Sequence, residues 1–430
     1  MNEDDSSQIY SYLVQSGYDP AQKEEDADIF VLVTCSVREK PENKALSKLG
    51  ELKLLKDENS NIIIGVCGCM AQRMGNRLKS GRPYINFVVG TEQISQIPYI
   101  INNISEEQKY FIRTRLSEKV TDLHLPGRTQ KEKIGLKEFI PIMYGCNNFC
   151  SYCVVPYTRG RERSREMQSV LDEIKYVSDR GCKEICLLGQ NVNSYGKTLD
   201  NPTDFATLLY KACEIDGIER IRYTTSHPKD LSDELIECMT SNDKICKHIH
   251  LAVQSGDDEI LRRMNRKYKA EKIYNLVNKL RSAMPDIAIT TDLIVGFPGE
   301  DERAFENTLK MVEQIQFDGA FMFSYNPIPN TPAAVMDGQR PMKDKNRSLE
   351  KLIALQNSIT VNKNKSLIGR CEKVLVESLS AKSGEEVTGY TDGLKAVNFP
   401  GSEDLIGKTV EVKITEGHLW GLKGEKQQKS

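Results

Sequence analysis

The sequence predicts an α/β chain in three parts: an open α/β domain over residues 1–105, a partial (β/α)6 barrel over 136–365 and a small antiparallel β-barrel over 366–430, with a linker at 106–135. Three observations predict it. Apolar runs of strand length alternate with helix-period segments through the first two parts. The alternation repeats six times in the second part, as joined parallel strands closing partly into a barrel require. Beyond about residue 366 it gives way to short strand-like runs separated by glycines.

At the amino end, an amphipathic helix carrying Ile9 and Leu13 leads to a strand at 28–33. A second helix with Ala45, Leu49 and Leu52 precedes a strand at 61–66, and a third strand follows at 86–89. Cys35 comes just after the first of these strands, and Cys67 and Cys69 after the second. Ligands of open α/β sheets sit at the carboxyl ends of strands, which makes Cys35 and Cys69 candidate metal ligands. Cys67 reads as a buried small hydrophobe, because alternate residues of an extended segment point opposite ways. The polar stretch at 106–135, with Pro126 and Gly127, reads as the linker.

Strands of the barrel are expected at 139–144, 184–189, 219–225, 248–253, 287–295 and 318–324. The helix at 301–315 places Phe305, Leu309 and Val312 on one face. Several strand ends run into unusual loops, around Gly189, Gln190 and Asn191, around Ser226, around Gln254 and Ser255, and around Val295 and Gly296. Each alone is turn chemistry, but four on one rim make a binding site. In the last part, strands are expected at 372–377, 394–399 and 408–414.

Composition limits the function classes. A chain of 430 residues, 39% apolar and 28% charged, can bury two or three cores. No 20-residue apolar span occurs, and the acidic start at Met1 argues against a signal peptide, so a cytoplasmic protein is expected. Twelve cysteines there point to metal ligation and burial, not disulfides. The net charge of −2 means that any nucleic acid must be met by a local basic surface. The last part adds none by composition, with nine Lys and Arg against ten Asp and Glu over 366–430.

Cys146, Cys150 and Cys153 carry the chemistry. They lie in Gly145-Cys-Asn-Asn-Phe-Cys-Ser-Tyr-Cys153, directly after the first barrel strand. Three soft ligands with no fourth nearby suit a cubane iron–sulfur cluster with one open iron, since a structural zinc wants four. A zinc knuckle completed by a distant residue is the competing reading of the spacing alone.

The triplet and its surroundings carry a family resemblance. Cys146-x3-Cys150-x2-Cys153 looks like the signature of radical S-adenosylmethionine (radical SAM) enzymes, and the following run to Arg165 is similar to the methylthiotransferase branch. Leu188 to Gly196, Tyr223 to Asp230 and Met264 to Tyr268 resemble the MiaB group, which adds a methylthio group to tRNA. The resemblance implies a SAM-binding 4Fe-4S cluster on the triplet and a deoxyadenosyl radical that removes hydrogen from carbon 2 of N(6)-isopentenyladenosine at position 37. No side-chain acid or base is implied, and the cofactor does the difficult chemistry. Gly189, Gln190, Asn191, Ser226, Gln254, Ser255, Val295 and Gly296 would line the SAM site. Related branches act on threonylcarbamoyl-adenosine or a ribosomal aspartate, and a non-catalytic zinc-containing RNA-binding protein is the remote alternative.

A second 4Fe-4S cluster is also implied, with Cys35 and Cys69 matching two of its three ligands. The family's third lies in a strand ending Cys-Gln-Met-Asn, of which Met1 and Asn2 match the last two residues. Either the start is assigned too late and a preceding strand supplies this cysteine, which is the expectation, or the chain lacks a complete second cluster. The last part resembles the TRAM domain, an RNA-binding appendage. Arg159, Arg161, Arg163 and Arg165, with Arg262 and Arg263, are the expected contacts to the phosphates of a tRNA anticodon stem-loop. Further expectations are a reducing protein such as flavodoxin or ferredoxin as electron donor, a monomeric chain and no membrane attachment.

Overall fold

The computed structural model describes residues 2–35, 39–105, 108–116, 134–381 and 383–427. Most of the expected linker, 117–133 with Pro126 and Gly127, lies outside the described residues, as does the segment just after Cys35.

The amino-terminal part is a parallel sheet of β1 (Ile29–Thr34), β2 (Ile63–Gly68), β3 (Phe87–Val89) and β4 (Phe111–Arg113), in that spatial order. β1 runs alongside β2 with Ile29 opposite Ile63 and Thr34 opposite Gly68, so the ends carrying Cys35 and Cys69 lie side by side. Both faces are covered, as a parallel sheet requires. Leu49, Leu52, Ile64, Val66 and Met70 fill one face, and Ile9, Phe87, Val89 and Ile97 fill the other. Cys67 belongs to the second apolar cluster, as its small-hydrophobe reading expects.

The central part is an arc of parallel strands in two hydrogen-bonded groups. β5 (Lys137–Pro141) pairs with β8 (Glu184–Leu188), which pairs with β9 (Arg220–Tyr223). β10 (His248–His250) pairs with β11 (Ala288–Val295), which pairs with β12 (Gly319–Ser324). Parallel bridges Ile221 to Ile245 and Ser226 to Leu251 link the two groups. The expected first strand is broken: Pro141 has no N–H, and the chain leaves β5 for a short ribbon of β6 (Met143–Tyr144) with β7 (Arg163–Ser164). That ribbon brackets the cysteine triplet.

Capping side chains start the outer helices. Asp204, Ser232, Asp257 and Asp301 each accept a backbone N–H of the first turn of the helix that follows. The helix Glu302–Ile315 buries Phe305 and Val312 and ends at Gln316 in a left-handed conformation, φ 55°. Leu309 packs against the same core while partly exposed.

The helix Met342–Lys365 then leads to a closed barrel of β13 (Cys371–Ser380), β14 (Ser383–Thr391), β15 (Ala396–Pro400), β16 (Thr409–His418) and β17 (Gly421–Lys426), ordered β13-β14-β15-β17-β16. Its pairs are antiparallel except β15 with β17, which run parallel, a correction to the all-antiparallel expectation. Arg220 and Arg222 of β9 hold it, donating to the carbonyls of Lys373, Tyr390, Thr391 and Asp392. Arg222 also pairs with the fully buried Glu184 at 2.9 Å. Among the described residues no helix is long and apolar enough to cross a membrane.

Candidate metal centre and cofactor site

The cysteine loop is built at the carboxyl end of β5 and β6. Gly145 opens it with φ 71°, and a Cβ there would stand 2.0 Å from the carbonyl oxygen of Arg161, so only glycine fits. Phe149 also takes a left-handed φ of 49°, which turns the chain between the first two cysteines. The Cys153 N–H donates to the Cys150 carbonyl at 2.9 Å, and the Cys146 N–H to that of Gly160 at 3.2 Å.

The segment 263–268 supports the loop from below. Ser151 Oγ donates to the Arg263 carbonyl at 2.8 Å, and Asn265 Nδ2 to that of Phe149 at 2.8 Å. Arg266, buried, lies 3.3 Å from Cys150 Sγ through Nη1 and donates through Nε to the Tyr268 hydroxyl at 2.8 Å. A buried guanidinium there offers the sulfur a hydrogen bond and a nearby positive charge. Charge and spacing alone do not show this role of Arg266; its place in a motif flanked by Asn265 and Tyr268 is the available sequence signal.

Burial, followed by the charge of Cys150, pushes the Cys146 thiol up to about 11 and that of Cys153 up to about 12. Each sulfur feels its neighbours, so the three share one locality. Among the described residues, no three His, Cys, Asp or Glu side chains are gathered as a single metal ion needs. The fit of the triplet to a cluster rests on the donor set: three soft thiols on one loop, two of them buried, with a cation against the middle one.

The rim holds buried polar atoms without protein partners. Gln190 Oε1, both amide atoms of Asn193 and Ser226 Oγ have none, an uncommon concentration of unmade bonds. Gly189 is packed so closely that a Cβ would stand 2.5 Å from Met143 Cγ. Asn191 is fixed, donating to Asp230 Oδ2 at 2.7 Å and accepting the His227 N–H at 3.2 Å. Burial alone would raise the Asp230 carboxyl, yet hydrogen bonds from Lys229, Lys197 and Asn191 bring it down to about 2. Ser194 donates to Glu162 Oε2 at 2.7 Å, joining this network to the strap that leaves the cysteine loop. Gln254 has φ 76°, and Val295 is fully buried at the end of β11. The Gly296 N–H donates to Glu300, whose carboxyl burial pushes up to about 7. Ser255 departs from expectation: its hydroxyl lies 3.3 Å from Thr308 Oγ1 and accepts the Asp257 N–H, facing a helix and not the rim.

Cys35 and Cys69 stand at neighbouring strand ends and are close enough for the charge of one to act on the other. Burial raises the Cys69 thiol, and Arg159 and the Thr158 side chain oppose that shift. The other cysteine of this part, Cys67, lies in an apolar core, where burial drives its thiol far up. The described residues thus bring two thiols, not three, to this position.

The six expected arginines divide by what they touch. Arg159 pairs with Asp5, Arg163 with Glu92 and Arg165 with Glu173, in each case with both side chains at most 9% exposed. Arg263 donates to the carbonyls of Pro298 and Asp337. Guanidinium groups so committed are not free for phosphates. Arg161 is exposed and lies over the Phe149 ring at 4.3 Å, and Arg262 is exposed beside Glu259.

Comparison with known proteins agrees with this geometry. Residues 140–312 match the Radical SAM superfamily, residues 1–90 the uncharacterized protein family UPF0004 and residues 365–426 the TRAM domain. A solved radical S-adenosylmethionine methyltransferase, TsrM from Kitasatospora setae, superposes with a TM-score of 0.56 at 14% identity over 77% of this chain and 74% of that one, a likeness of fold. Barrel, loop and superfamily match together define a radical SAM protein. The tRNA-2-methylthio-N(6)-dimethylallyladenosine synthase of Carboxydothermus hydrogenoformans is 46% identical over 99% of this chain and 96% of its own length. That of Moorella thermoacetica is 44% identical over 99% and 96%. The chain belongs to the tRNA-2-methylthio-N(6)-dimethylallyladenosine synthase family, within the radical SAM methylthiotransferases.

Proposed function

We propose that the chain methylthiolates carbon 2 of N(6)-isopentenyladenosine at position 37 of tRNA, giving 2-methylthio-N(6)-isopentenyladenosine. The observation that carries this reading is the full-length identity to synthases of that name, together with the three-thiol loop at the carboxyl end of the barrel. Cys146, Cys150 and Cys153 would hold a 4Fe-4S cluster, and cluster and SAM together supply a radical able to take hydrogen from an unactivated ring carbon. The protein's part is to bind, orient and exclude water. Gly189 lets backbone approach the ligand, while Gln190, Asn193 and Ser226 offer it the polar atoms that have no protein partner. Asn191, locked by Asp230, holds the loop's shape, and Gln254, Val295 and Gly296 line the opposite side. Arg161 and Arg262 are the basic side chains placed to meet the phosphates of the anticodon stem-loop. The base itself must be unstacked to reach the barrel mouth. A cytoplasmic monomer reduced by a flavodoxin- or ferredoxin-like protein completes the reading.

Anaerobic purification tests the metal assignment. Iron, acid-labile sulfide and broad visible absorption are expected, and Cys150→Ala removes the share of iron held by the triplet. Zinc without iron would return the triplet to the zinc-knuckle alternative.

A further inference from the structure

The strap that leaves the cysteine triplet is also what holds the amino-terminal sheet. The helix Val155–Thr158 packs against the helix Cys69–Met74. Thr91 Oγ1 donates to the Thr158 carbonyl at 2.6 Å. Arg159 donates to Asp5 of the helix Asn2–Gln15, through Nη2 to Oδ2 at 2.5 Å and Nη1 to Oδ1 at 3.4 Å. The same guanidinium and the Thr158 side chain lie close enough to Cys69 to act on its thiol. Arg163 reaches Glu92 at 2.5 Å. In the other direction, the Gly160 carbonyl accepts the Cys146 N–H at 3.2 Å. The residue beside Cys69 and the residue bonded to Cys146 are therefore adjacent in the chain.

Burial makes this arrangement informative. The Arg159 and Asp5 side chains are 6% and 3% exposed. A pair so desolvated adds little net stability over an apolar packing, but it is costly to break and its planar fork admits few geometries. It serves better as a locating device than as a source of stability. It also accounts for an arginine that phosphate binding does not use.

We propose that Arg159 is a positioning residue, which registers the face of the amino-terminal sheet bearing Cys35 and Cys69 against the cysteine-triplet loop, so that both meet one bound base. The proposal rests on the methylthiotransferase reading. Its role is exerted through Asp5 and Cys69, not by contact with substrate.

Two readouts test it on the full chain. Hydrogen exchange of Arg159→Gln, followed by mass spectrometry, should rise at least about tenfold in residues 2–15, 69–74 and 155–163 while β8 and β11 stay protected. Arg159→Lys, which keeps the charge and loses the fork, should give a smaller rise in the same segments. Exchange that is unchanged, or that rises throughout the barrel, overturns the proposal. In turnover with tRNA, Arg159→Gln should keep 5′-deoxyadenosine formation within about twofold and lower methylthio product at least about tenfold, with partial recovery in Arg159→Lys. A parallel fall of both products overturns it. Absence of methylthio product from the unsubstituted enzyme would instead count against the function itself, and the exchange result would still decide the role of Arg159.

Discussion

Arginines next to one another in sequence do unlike work here, and what each touches decides which. Arg161 faces solvent over Phe149, whereas Arg163, two residues on, is buried against Glu92. Charge reversal of Arg161 should weaken tRNA binding for all sequences alike and reduce the salt dependence by about one phosphate contact. Arg163→Glu should instead lower stability by about 3–5 kcal/mol, by burying two like charges where a pair stood. Filter binding across salt concentrations and denaturation of each variant check the two outcomes. Histidines give a second prediction at this scale. Burial lowers His227 to about 2 and His248 to about 3, so both stay neutral in the fold. The unfolded chain takes up those protons below about 6.5, so stability is present above that pH and is lost as pH falls toward the folded values. Each should cost about 1.4 kcal/mol at pH 5.5, so the change in stability between pH 7.5 and 5.5 should be less unfavourable by about 1.4 kcal/mol in His248→Gln than in the unsubstituted protein, as read by denaturant titration at both pH values.

Elements were legible in the sequence where period and length agreed. The runs at 184–189, 287–295 and 318–324 correspond to β8, β11 and β12 within a residue or two, because each is of strand length and rich in apolar or β-branched residues. The run at 139–144 was apolar throughout and read as one strand, yet Pro141 removes a ladder donor and splits it. The parallel pairing of β15 with β17 had no local signal, since strand order depends on closure of the whole barrel. Likewise the three thiols of the triplet could be read from spacing, whereas the partners of Arg159, Arg163 and Arg165 are set by tertiary contacts, and charge alone suggested a surface. Docking of the small barrel is a further element property. Arg222→Met should leave the buried Glu184 with Lys137 alone, 3.2 Å away, and remove the donors to the Thr391 and Asp392 carbonyls, at a cost of about 1–3 kcal/mol. Increased hydrogen exchange in β13 and β14, with β11 unchanged, is the expected signature.

At the scale of the molecule, the core barrel is loaded at both ends. The small barrel is held by Arg220 and Arg222 near the strand starts, and the amino-terminal sheet by the strap that follows the cysteine loop at the strand ends. The cysteine-bearing sheet and the cysteine triplet are therefore joined through one strap, and the part that matches the TRAM domain is held at the starts of the barrel strands. That layout was readable only in part, because sequence gave the parts and their order while buried ion pairs fix how they meet. The central claim is that this layout methylthiolates an isopentenylated adenosine in tRNA. Mass spectrometry of tRNA nucleosides from a strain lacking the gene, complemented with the intact protein or with Cys150→Ala, tests it most directly. In that strain 2-methylthio-N(6)-isopentenyladenosine should disappear, its unmodified precursor should accumulate, and only the intact protein should restore it; persistence of the methylthio nucleoside in the deletion strain would overturn this function.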